Sequence, residues 1–314
     1  MKYTIAIPAY KSEFLKDCIQ SILNQTYDDF ELIIVNDASP DNIDEIVNSF
    51  SDQRIRYFRN DENFGAENVV KNWNKCLELA KGDYFLLMGD DDMLSPNYLM
   101  FFSEVIDINQ VYDVFHCQTI IIDQCGNEIL RTPNLPAYES MIDMIKQRLI
   151  HNRRQFISDF VYKTKSLKSF GGFFYLPLAQ MSDDISAYRS CGSIGILNIR
   201  EHLLYYRQHD KTISAIGKEE LIIKAISIGE KWILKNFYDM SNIKSSLLSY
   251  LKLRILILKS FHKKKMEVLN RKIKVDGLSK KSIQNLIEYK KNGQLSYLVI
   301  IHIIVSHFRR ILIK

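Results

Sequence analysis

The sequence predicts an α/β fold with a mainly parallel central sheet flanked by helices, followed by a helical C-terminal extension. Three observations support this prediction. In the first third of the chain, short apolar runs typical of strands alternate with segments whose apolar residues recur at helical spacing. Each of these apolar runs ends at a proline, a glycine or polar residues. From residue 219 onwards, the pattern is helical and increasingly basic. Strands and helices that alternate at this spacing indicate βαβ units, in which the strands pair in parallel.

The individual elements follow from the same patterns. The strands of the first half are expected at residues 3–7, 30–35, 55–58 and 84–88. The helices between them are expected at residues 14–23 (with Ser12 as N-cap), 43–50 and 69–80. The later signals are one or two strands at residues 111–122, a hairpin turn at 123–127 and a mixed region at 134–175.

The composition is that of a globular protein with one large domain or two small ones. The chain has 314 residues, of which 46% are hydrophobic and 25% are charged. Its five cysteines are scattered and contain no Cys-x-x-Cys pair. We therefore expect a reducing compartment and neither a disulfide framework nor a zinc site. The first apolar run is short and ends at Pro8, so we expect no signal peptide.

The net charge of +5 conceals a strong asymmetry. Residues 251–314 contain 16 Lys and Arg but only 3 Asp and Glu, a net charge of +13. The first 250 residues therefore carry −8, which restores the total of +5. An acidic part joined to a strongly basic part suggests that the protein meets an anionic surface.

Three consecutive aspartates, Asp90, Asp91 and Asp92, follow the predicted strand at residues 84–88 and a turn at Gly89. Adjacent carboxylates repel one another, and a cation would relieve that repulsion. Mg²⁺ and Mn²⁺ prefer carboxylate oxygens, and Mg²⁺ is usually held by one or two carboxylates together with substrate phosphates. Ligands of an open α/β sheet bind beyond the carboxyl ends of its strands, where this triplet lies. The alternative is an ordinary solvated acidic turn.

The other predicted strand ends also carry residues suited to a ligand. They are Pro8, Ala9 and Tyr10; Asp37, Ala38 and Ser39; and residues 63–65. In a parallel sheet these ends converge on one crevice. The carboxylate of Asp37 can accept hydrogen bonds from a uracil-like base, and Tyr10 offers an aromatic face for stacking. Alternatively, Asp37 and Ser39 cap the next helix and Tyr10 belongs to the core.

Four motifs, in this order and spacing, resemble the signature of the family 2 glycosyltransferases. They are Ile-Pro-Ala-Tyr at residues 7–10, Val-Asn-Asp-Ala-Ser-Pro-Asp at 35–41, Ala-Lys-Gly-Asp-Tyr at 80–84 and Gly-Asp-Asp-Asp-Met-Leu at 89–94. Members of this family are inverting enzymes with the GT-A fold that use nucleotide sugars. A weaker similarity extends to about residue 214. The resemblance therefore implies a catalytic GT-A domain at residues 1–214 and a basic helical region at 215–314.

The resemblance also implies roles for single residues around the donor. Pro8, Ala9 and Tyr10 would line the nucleotide pocket, and Asp37 would hold the base. The full implied set of nucleotide-sugar ligands is Pro8, Ala9, Tyr10, Asp37, Ser39, Asn63, Gly65, Asp90 and Arg207. The implied ligands of Mn²⁺ or Mg²⁺ are Asp91, Asp92 and His209.

Two positions depart from the family pattern. Gly89 stands where the first aspartate of the family motif often lies, so we expect Asp90 to take over its ribose contact. Trp73 stands where many members carry an arginine, so no phosphate contact is expected there.

A second motif, Met-Ser-Asp-Asp-Ile at residues 181–185, resembles the family's Glu-Asp pair. It implies that Asp184 is the catalytic base and that Asp183 takes the place of the glutamate. An inverting transfer needs one base within hydrogen-bond reach of the acceptor hydroxyl. The alternative is an acidic pair that complements the dipole at the start of a helix.

The segment Leu-Leu-Tyr-Tyr-Arg-Gln-His at residues 203–209, with Ser214, resembles the end of the family's catalytic domain. There Arg207 would neutralise the leaving diphosphate, and His209 would bind the metal or a phosphate. Structural roles for both side chains remain the alternative.

The C-terminal region combines a very basic stretch at residues 259–274 with an apolar one at 297–304. The apolar stretch is too short to span a membrane, which takes about 20 residues. It is expected to form a core helix or a helix in the membrane interface, and Arg309, Arg310 and Lys314 favour the interface. A solvated basic face is the alternative, and without a recognisable motif no nucleic-acid binding is expected.

The sequence thus predicts a metal-dependent hexosyl- or N-acetylhexosaminyltransferase. It would transfer one sugar, expected to come from a UDP-sugar, to a hydroxyl of a glycan or polyprenyl-linked acceptor in cell-surface polysaccharide or O-antigen synthesis. The predicted location is the cytoplasm, with peripheral contact to the inner face of the plasma membrane; a homodimer is left open. One rival is a silent nucleotide-sugar-binding or scaffold protein of the same fold. A sugar nucleotidylyltransferase is less favoured, because no glycine precedes Gly65 to form its phosphate loop.

Overall fold

The computed structural model describes residues 2–209, 218–240, 247–276 and 278–312. Its strands are β1 (Tyr3–Ala9), β2 (Phe30–Asn36), β3 (Ile55–Arg59), β4 (Tyr84–Leu87), β5 (Met93–Leu94), β6 (Val114–Ile122), β7 (Glu128–Arg131), β8 (Tyr138–Glu139), β9 (Phe160–Lys163) and β10 (Ile196–Arg207). The helices of the first 200 residues are α1 (Leu15–Leu23), α2 (Ile43–Asn48), α3 (Val69–Leu79), α4 (Tyr98–Ile108), α5 (Met141–Leu149), α6 (Thr164–Ser169) and α7 (Ser182–Cys191). The C-terminal helices are α8 (Glu219–Met240), α9 (Leu247–Asp276), α10 (Lys280–Lys291) and α11 (Tyr297–Leu312).

One sheet organises the α/β part, in the order β3-β2-β1-β4-β9-β6-β10-β5. Strands β1 to β4 pair in parallel, so their carboxyl ends share one edge. Strand β9 runs antiparallel between β4 and β6, and β10 pairs in parallel with β6. The predicted α/β fold, with βαβ units in its first half and helices at its C-terminal end, is confirmed.

Several details differ from the sequence prediction. Ser12 does not cap α1: the helix begins after Phe14, and the Ser12 hydroxyl donates instead to Asp41. Residues 111–122 form the single strand β6, and the predicted turn at 123–127 joins it to β7. The mixed region at 134–175 contributes β9, which joins the two halves of the sheet. The central position of β9 could not be predicted from its short sequence, Phe-Val-Tyr-Lys, because the strands that it pairs with lie far away in the chain.

Helices cover both faces of the sheet. One face packs α1, α2 and α4 against side chains such as Ile5 and Ile7 of β1. The other face packs α3, α5, α7 and parts of α8 and α9 around Ala6 and Phe85. A third apolar cluster joins α8 to α11, with Ile303 fully buried. The α/β part and the C-terminal helices therefore share a continuous core.

The predicted boundary at residue 214 falls in the segment 210–217, which lies outside the described residues, as do Ser214, Lys314 and the side chains of Arg309 and Arg310. Across the described part of the chain, no helix combines the length and apolar character needed to cross a membrane.

Candidate active site

Asp37 lies just beyond β2 and is buried, with 5% of its surface exposed. Its Oδ1 accepts hydrogen bonds from Asn60 Nδ2 at 2.8 Å and from the backbone nitrogen of Phe64 at 3.2 Å. Asn60 also donates to Asn72 on α3. Asp37 therefore links β2 to the loop after β3 instead of capping α2. Among the described residues, no donor forms a hydrogen bond with its Oδ2, and this oxygen could therefore accept from a nucleobase N–H.

Ser39 connects the loops that follow β1 and β2. Its hydroxyl donates to the carbonyl oxygen of Tyr10 at 2.5 Å and accepts from the backbone nitrogen of Asp41. Ala38 adopts a positive φ of 47°, a conformation that non-glycine residues hold only under local constraint. The ring of Tyr10 is exposed. The exposed ring of Tyr10 therefore stands on a braced backbone, and the backbone nitrogen of Asp37 donates to the neighbouring carbonyl of Ala9 at 3.0 Å. Pro8 and Ala9 end β1 nearby, and Asn63 and Gly65 lie on the loop after β3.

The three aspartates have three different environments. Asp90 Oδ2 accepts hydrogen bonds from the backbone nitrogens of Tyr10 and Lys11, each at 2.8 Å. Asp91 Oδ2 lies 2.8 Å from His209 Nε2 and 3.3 Å from Lys11 Nζ. The loop after β1 and the segment after β10 therefore both bind the triplet. The triplet is not a solvated acidic turn.

Asp92 points into the protein and is 3% exposed. Its Oδ1 accepts from the backbone nitrogen of Arg207, and its Oδ2 accepts from Ser158 Oγ. Burial, and next the charge of Asp91, raises the pKa of Asp92 well above its ordinary value. The same two causes raise the pKa of Asp90 to about 6. Asp92 therefore anchors the aspartate loop to β10 and to the segment before β9, on the side that faces the protein interior.

Gly89 allows the triplet to fold this tightly. A Cβ atom at this position would lie 2.8 Å from Asp92 Oδ2 and 3.0 Å from Asp91 Oδ1. Contacts this short are repulsive, so a side chain here would displace both carboxylates. The close approach of its neighbours explains the glycine, whereas the sequence showed a turn at this position and a missing aspartate.

Arg207 is a brace within the protein. Its Nε donates to the backbone oxygen of Asp91 at 3.0 Å, and its Nη1 donates to that of Gln124 at 3.1 Å. The guanidinium lies 4.4 Å from the ring centre of Phe14, and the residue is 3% exposed. These contacts tie the aspartate loop to the β6–β7 turn, and the diphosphate contact expected for Arg207 stays a prediction.

The donor set at Asp91 fits part of the expected metal site. Asp91 Oδ2 and His209 Nε2, 2.8 Å apart, are a carboxylate and an imidazole that can face one divalent ion, while both oxygens of Asp92 are engaged elsewhere. Within the described residues, no group of three or more His, Cys, Asp or Glu side chains is arranged to hold a metal ion. Asp91 and His209 would therefore supply a partial site that needs further oxygens from a ligand.

A cavity of about 440 Å³ opens beside the triplet, below the carboxyl end of β10. The residues that line it come from α3, α5, α7, the end of β10 and the residues after it, the aspartate loop, and the loops before β9 and α7. They are Trp73, Asp92, Arg148, Arg154, Gln155, Phe156, Ile157, Leu178, Ala179, Gln180, Met181, Asp183, Tyr206 and Gln208. Phe156 and Tyr206 stack at 3.8 Å between ring centres, which gives one wall a flat aromatic surface.

Asp183 and Asp184 start helix α7 but face different surroundings. Asp183 lines the cavity, and its Oδ1 accepts the backbone N–H of Asp184 at 2.8 Å. Asp184 is fully buried: Arg148 Nε lies 3.0 Å from both of its oxygens, and Gln155 Nε2 lies 2.6 Å from Oδ1. Burial, and next the charge of Asp184, raises the pKa of Asp183 to about 7, although the charge of Arg148 lowers it.

The loop before α7 holds its backbone in a rare conformation. Leu178, Ala179 and Met181 have positive φ values of 59°, 52° and 70°. Such strain in non-glycine residues clusters at functional sites, where the surrounding structure enforces it. All three residues line the cavity, so the strained loop shapes the wall from which Asp183 projects.

Sequence reasoning missed the partners that hold these residues in place. Lys11, Asn60, Arg148, Gln155 and Ser158 each contact a predicted site residue. Lys11 alone stood next to a recognised motif, and the others lie in segments without a distinguishing pattern. Only the fold brings them to the site.

A family model for "Glycosyl transferase family 2" matches residues 4–169, more than half of the chain. The protein therefore belongs to the family 2 glycosyltransferases. Among curated relatives, an uncharacterized glycosyltransferase of Methanocaldococcus jannaschii is 29% identical over 255 residues, 76% of this chain and 83% of that protein. One from Haemophilus influenzae is 26% identical over 234 residues, 69% of this chain and 68% of that protein.

Two further similarities are weaker, one because it covers a short segment and the other because its sequence identity is low. Glycosyltransferase GlyG of Streptococcus pneumoniae is 34% identical over 99 residues, 31% of this chain, and the matched part is 32% of GlyG. The crystal structure of residues 1–349 of Staphylococcus aureus TarS in complex with UDP-GlcNAc superposes with a TM-score of 0.66 at 15% identity. This match covers 94% of our chain and 88% of that one. At this identity the likeness shows the fold, and it confirms the GT-A architecture.

Proposed function

We propose that this glycosyltransferase moves a single hexosyl or N-acetylhexosaminyl group from a nucleotide sugar to an acceptor hydroxyl, with inversion at the anomeric carbon. The observation that carries the proposal is the position of Asp183 on the cavity wall, together with its raised pKa. Asp183 is a carboxylate with a pKa of about 7 on the wall of a cavity that also reaches the aspartate loop. A general base works best when its pKa lies near the working pH.

The donor would lie across the carboxyl ends of β1 and β2. Asp37 would accept a base N–H, and the exposed ring of Tyr10 would stack on the base. Asp90 braces the loop of Tyr10, which makes its ribose role indirect in this proposal. TarS structures with UDP-GlcNAc and with UDP support a UDP-sugar as the first donor to test.

Asp91 and His209 would hold a Mn²⁺ or Mg²⁺ ion, with the remaining ligands supplied by the diphosphate. When bound, such an ion stabilises the negative charge of the leaving nucleoside diphosphate. The chain itself contributes the position of these two side chains. Lys11, 3.3 Å from Asp91, adds a positive charge on the same side.

The position of Asp183 in the cavity suits it to act as the base in the transfer reaction. Its carboxylate takes the proton from the acceptor hydroxyl as the acceptor oxygen forms a bond to the anomeric carbon. The bond from that carbon to the diphosphate oxygen breaks on the opposite face, and the electron pair leaves with the nucleoside diphosphate. Asp184, fixed by Arg148 and Gln155, orients the start of α7 so that Asp183 faces the cavity.

The acceptor would enter the cavity beside the stacked Phe156 and Tyr206, because sugar rings pack their C–H faces on aromatic surfaces. Exposed Arg154 and the amides of Gln180 and Gln208 offer hydrogen bonds to hydroxyls. These features support a glycan or a polyprenyl-linked sugar as acceptor, and with it a role in cell-surface polysaccharide or O-antigen assembly at the cytoplasmic side of the plasma membrane.

A screen of nucleotide sugars for hydrolysis and transfer, with Mn²⁺ present or chelated, tests the proposal. We expect one donor to be turned over, with activity lost on chelation and in Asp91→Ala. Glu62→Ala, which alters an exposed carboxylate on the loop after β3, is the matched control and should keep full activity. Turnover that survives both chelation and Asp91→Ala would rule out the metal-dependent mechanism.

One observation favours a second candidate, a silent nucleotide-sugar-binding protein. Asp184, the residue on the family's base position, faces Arg148 and Gln155 instead of the cavity. This candidate predicts that UDP-sugars bind without any turnover. Calorimetric binding combined with a turnover assay under the same conditions separates the two functions.

A further inference from the structure

Helix α9 carries a row of exposed apolar side chains. Leu251, Ile255 and Leu258 are spaced by four and three residues, which places them on one face of the helix. Their exposed fractions are 44%, 51% and 39%. The opposite side of α9 buries Ile257 and Phe261 in the core. The row of Leu251, Ile255 and Leu258 therefore stays exposed when the other side of the helix packs against the rest of the protein.

Helix α11 shows the same division. Val299 and Ile303 are buried in the C-terminal cluster, whereas Leu298, Ile301 and Val305 are exposed. The exposed fraction reaches 71% for Leu298 and 56% for Ile301. Two helices of the same region therefore present apolar side chains to solvent.

The two rows meet. His262 follows Leu258 by one helical turn, and His302 follows Leu298 by one turn. The rings of the two histidines lie 6.0 Å apart between centres. This contact brings the exposed side of α9 next to the exposed side of α11. We call the joined surface the outer face; its members are Leu251, Ile255, Leu258, His262, Leu298, Ile301, His302 and Val305.

Cations border the outer face. Lys252, Lys259 and Lys263 occupy the neighbouring row of α9; the Lys263 side chain is 67% exposed, and its Nζ lies 3.9 Å from Oε1 of Glu267. Lys290 places its Nζ 4.5 Å from the ring centre of Tyr297, at the start of α11. The sequence of α11 contains no Asp or Glu. The surface thus combines apolar side chains with positive charge and few negative charges.

We propose that the outer face docks on an anionic lipid bilayer, with α9 and α11 lying in the plane of the interface. Exposed apolar side chains would enter the boundary between head groups and acyl chains, and the lysines would pair with anionic head groups. At about 1.5 Å per residue, the 16 residues of α11 are shorter than the ~30 Å hydrocarbon core, which agrees with a helix that lies on the membrane.

The charge argues for lipid as the occupant over a second copy of this chain. Lysine is depleted from the buried centres of protein interfaces, because each buried ammonium must lose its water. Here the lysines lie directly beside the apolar row, and a second copy would bring like charges together. An anionic bilayer instead offers a complementary charge over the whole surface.

Docking would fix the orientation of the cavity relative to the membrane surface. The inner side of α9, with Ile257 and Phe261, packs in the same core as Ile185 and Tyr188 of α7, the helix that starts with Asp183. One helix therefore connects the outer face to the helix of the proposed base. This arrangement goes beyond the transfer reaction, since a soluble enzyme could perform that reaction without it.

Sedimentation with phospholipid vesicles tests the proposal on the full chain. We expect binding to vesicles of phosphatidylcholine mixed with phosphatidylglycerol and little binding to phosphatidylcholine alone. Ile255→Glu with Ile301→Glu should weaken binding by more than about tenfold, because each change removes apolar contact and adds repulsion. Ile108→Glu, an 83% exposed position on α4, is the matched control and should bind as the unmodified protein does.

A second pair of variants separates the charge contribution. Lys259→Ser with Lys263→Ser should weaken binding to the mixed vesicles and reduce its dependence on salt. Circular dichroism and turnover with a soluble acceptor should be unchanged in every variant, which separates lost docking from lost folding or lost transfer. Unchanged vesicle binding by Ile255→Glu with Ile301→Glu would overturn the proposal. So would a dimer in light scattering that the same variant converts to a monomer, because a second copy would then cover the face.

Discussion

Asp183 and Asp184 are neighbours in the chain, yet their surroundings give them different chemistry. Consecutive residues of a helix point about 100° apart, so packing decides which one meets the cavity. Asp184 is enclosed with Arg148 and Gln155, and its negative charge helps to raise the pKa of Asp183. Burial and the neighbouring charge of Asp184 thereby prepare the cavity-lining carboxylate of Asp183 to accept a proton near neutral pH.

Asp183→Asn should lower kcat by about 10²–10⁴-fold without lowering Tm at neutral pH, because it removes the base and also the cost of ionising a buried carboxylate. Asp184→Asn should lower Tm by several degrees, because it leaves the Arg148 charge without its partner. Rate measurements and thermal unfolding of both variants check this contrast. If Asp184→Asn instead kept its Tm and lost more activity than Asp183→Asn, Asp184 would be the base.

The pKa of Asp183 also predicts opposite trends of activity and stability with pH. Burial raises this pKa most, the charges of Asp184 and Asp159 raise it further, and the charge of Arg148 lowers it. Lys264 of α9 interacts electrostatically with both Asp183 and Asp184. Since the base must be ionised, kcat/KM should rise as the pH passes through about 7.

The contribution of Asp183 to stability changes with pH in the opposite direction to activity. The folded pKa of Asp183 is raised from 3.8 to about 7, so its contribution to the free energy of unfolding is full below pH 3.8 and is lost as the pH rises through about 7. Comparing the pH profiles of the unmodified protein and Asp183→Asn measures this single contribution. Identical profiles in both proteins would show that another group titrates.

Helix α9 connects the C-terminal region to the proposed base. Ile257, Phe261 and Lys264 follow at helical spacing on its inner side, and the first two lie in the core with Ile185 of α7. Burial lowers the pKa of Lys264, whereas the charge of Asp184 raises it. The charge of this lysine acts on both carboxylates at the start of α7.

Lys264→Met should shift the kcat/KM profile to higher pH, because losing a nearby cation makes Asp183 harder to ionise. Lys263→Met is the matched control: Lys263 is the preceding residue, largely exposed, and should leave the profile in place. A pH titration of kcat/KM for the three proteins provides the measurement. An equal shift in both variants would mean that the overall positive charge of α9, and not Lys264 in particular, sets the pKa of Asp183.

Elements differ in how far their sequence predicted them. Strands β1 to β4 and helix α3 were predicted within one or two residues, because an apolar period and a turn signal are local properties. Strand β9 was not predicted, since its place between β4 and β6 depends on partners about 80 and 45 residues away. The capping role of Ser12 was wrong because Asp41, on another loop, binds its hydroxyl.

At the scale of the whole molecule, the two predicted regions share one core. Trp73 of α3 belongs to the main cluster, and Trp232 of α8 packs against the same cluster. Ile226 and Phe261, from the C-terminal helices, are buried in it. We therefore expect the two regions to unfold together.

This expectation can be followed with the two tryptophans of the chain, one in each region. Trp232→Phe leaves the fluorescence of Trp73 as the signal, and Trp73→Phe leaves that of Trp232. Each variant should show a single transition whose midpoint agrees with circular dichroism of the same protein. A midpoint for Trp232 well below that of the helical signal would mean that the C-terminal helices unfold on their own.

By itself, the sequence determined the α/β class, the strand ends that carry the candidate ligand-binding residues and the family motifs, because these depend on short local patterns. Only the tertiary structure decided that Asp91 meets His209 while Asp92 supports the loop from behind. It likewise decided that Asp183, and not Asp184, lines the cavity. Which side of a residue faces a ligand depends on contacts between segments far apart in the chain, and no local pattern records those contacts.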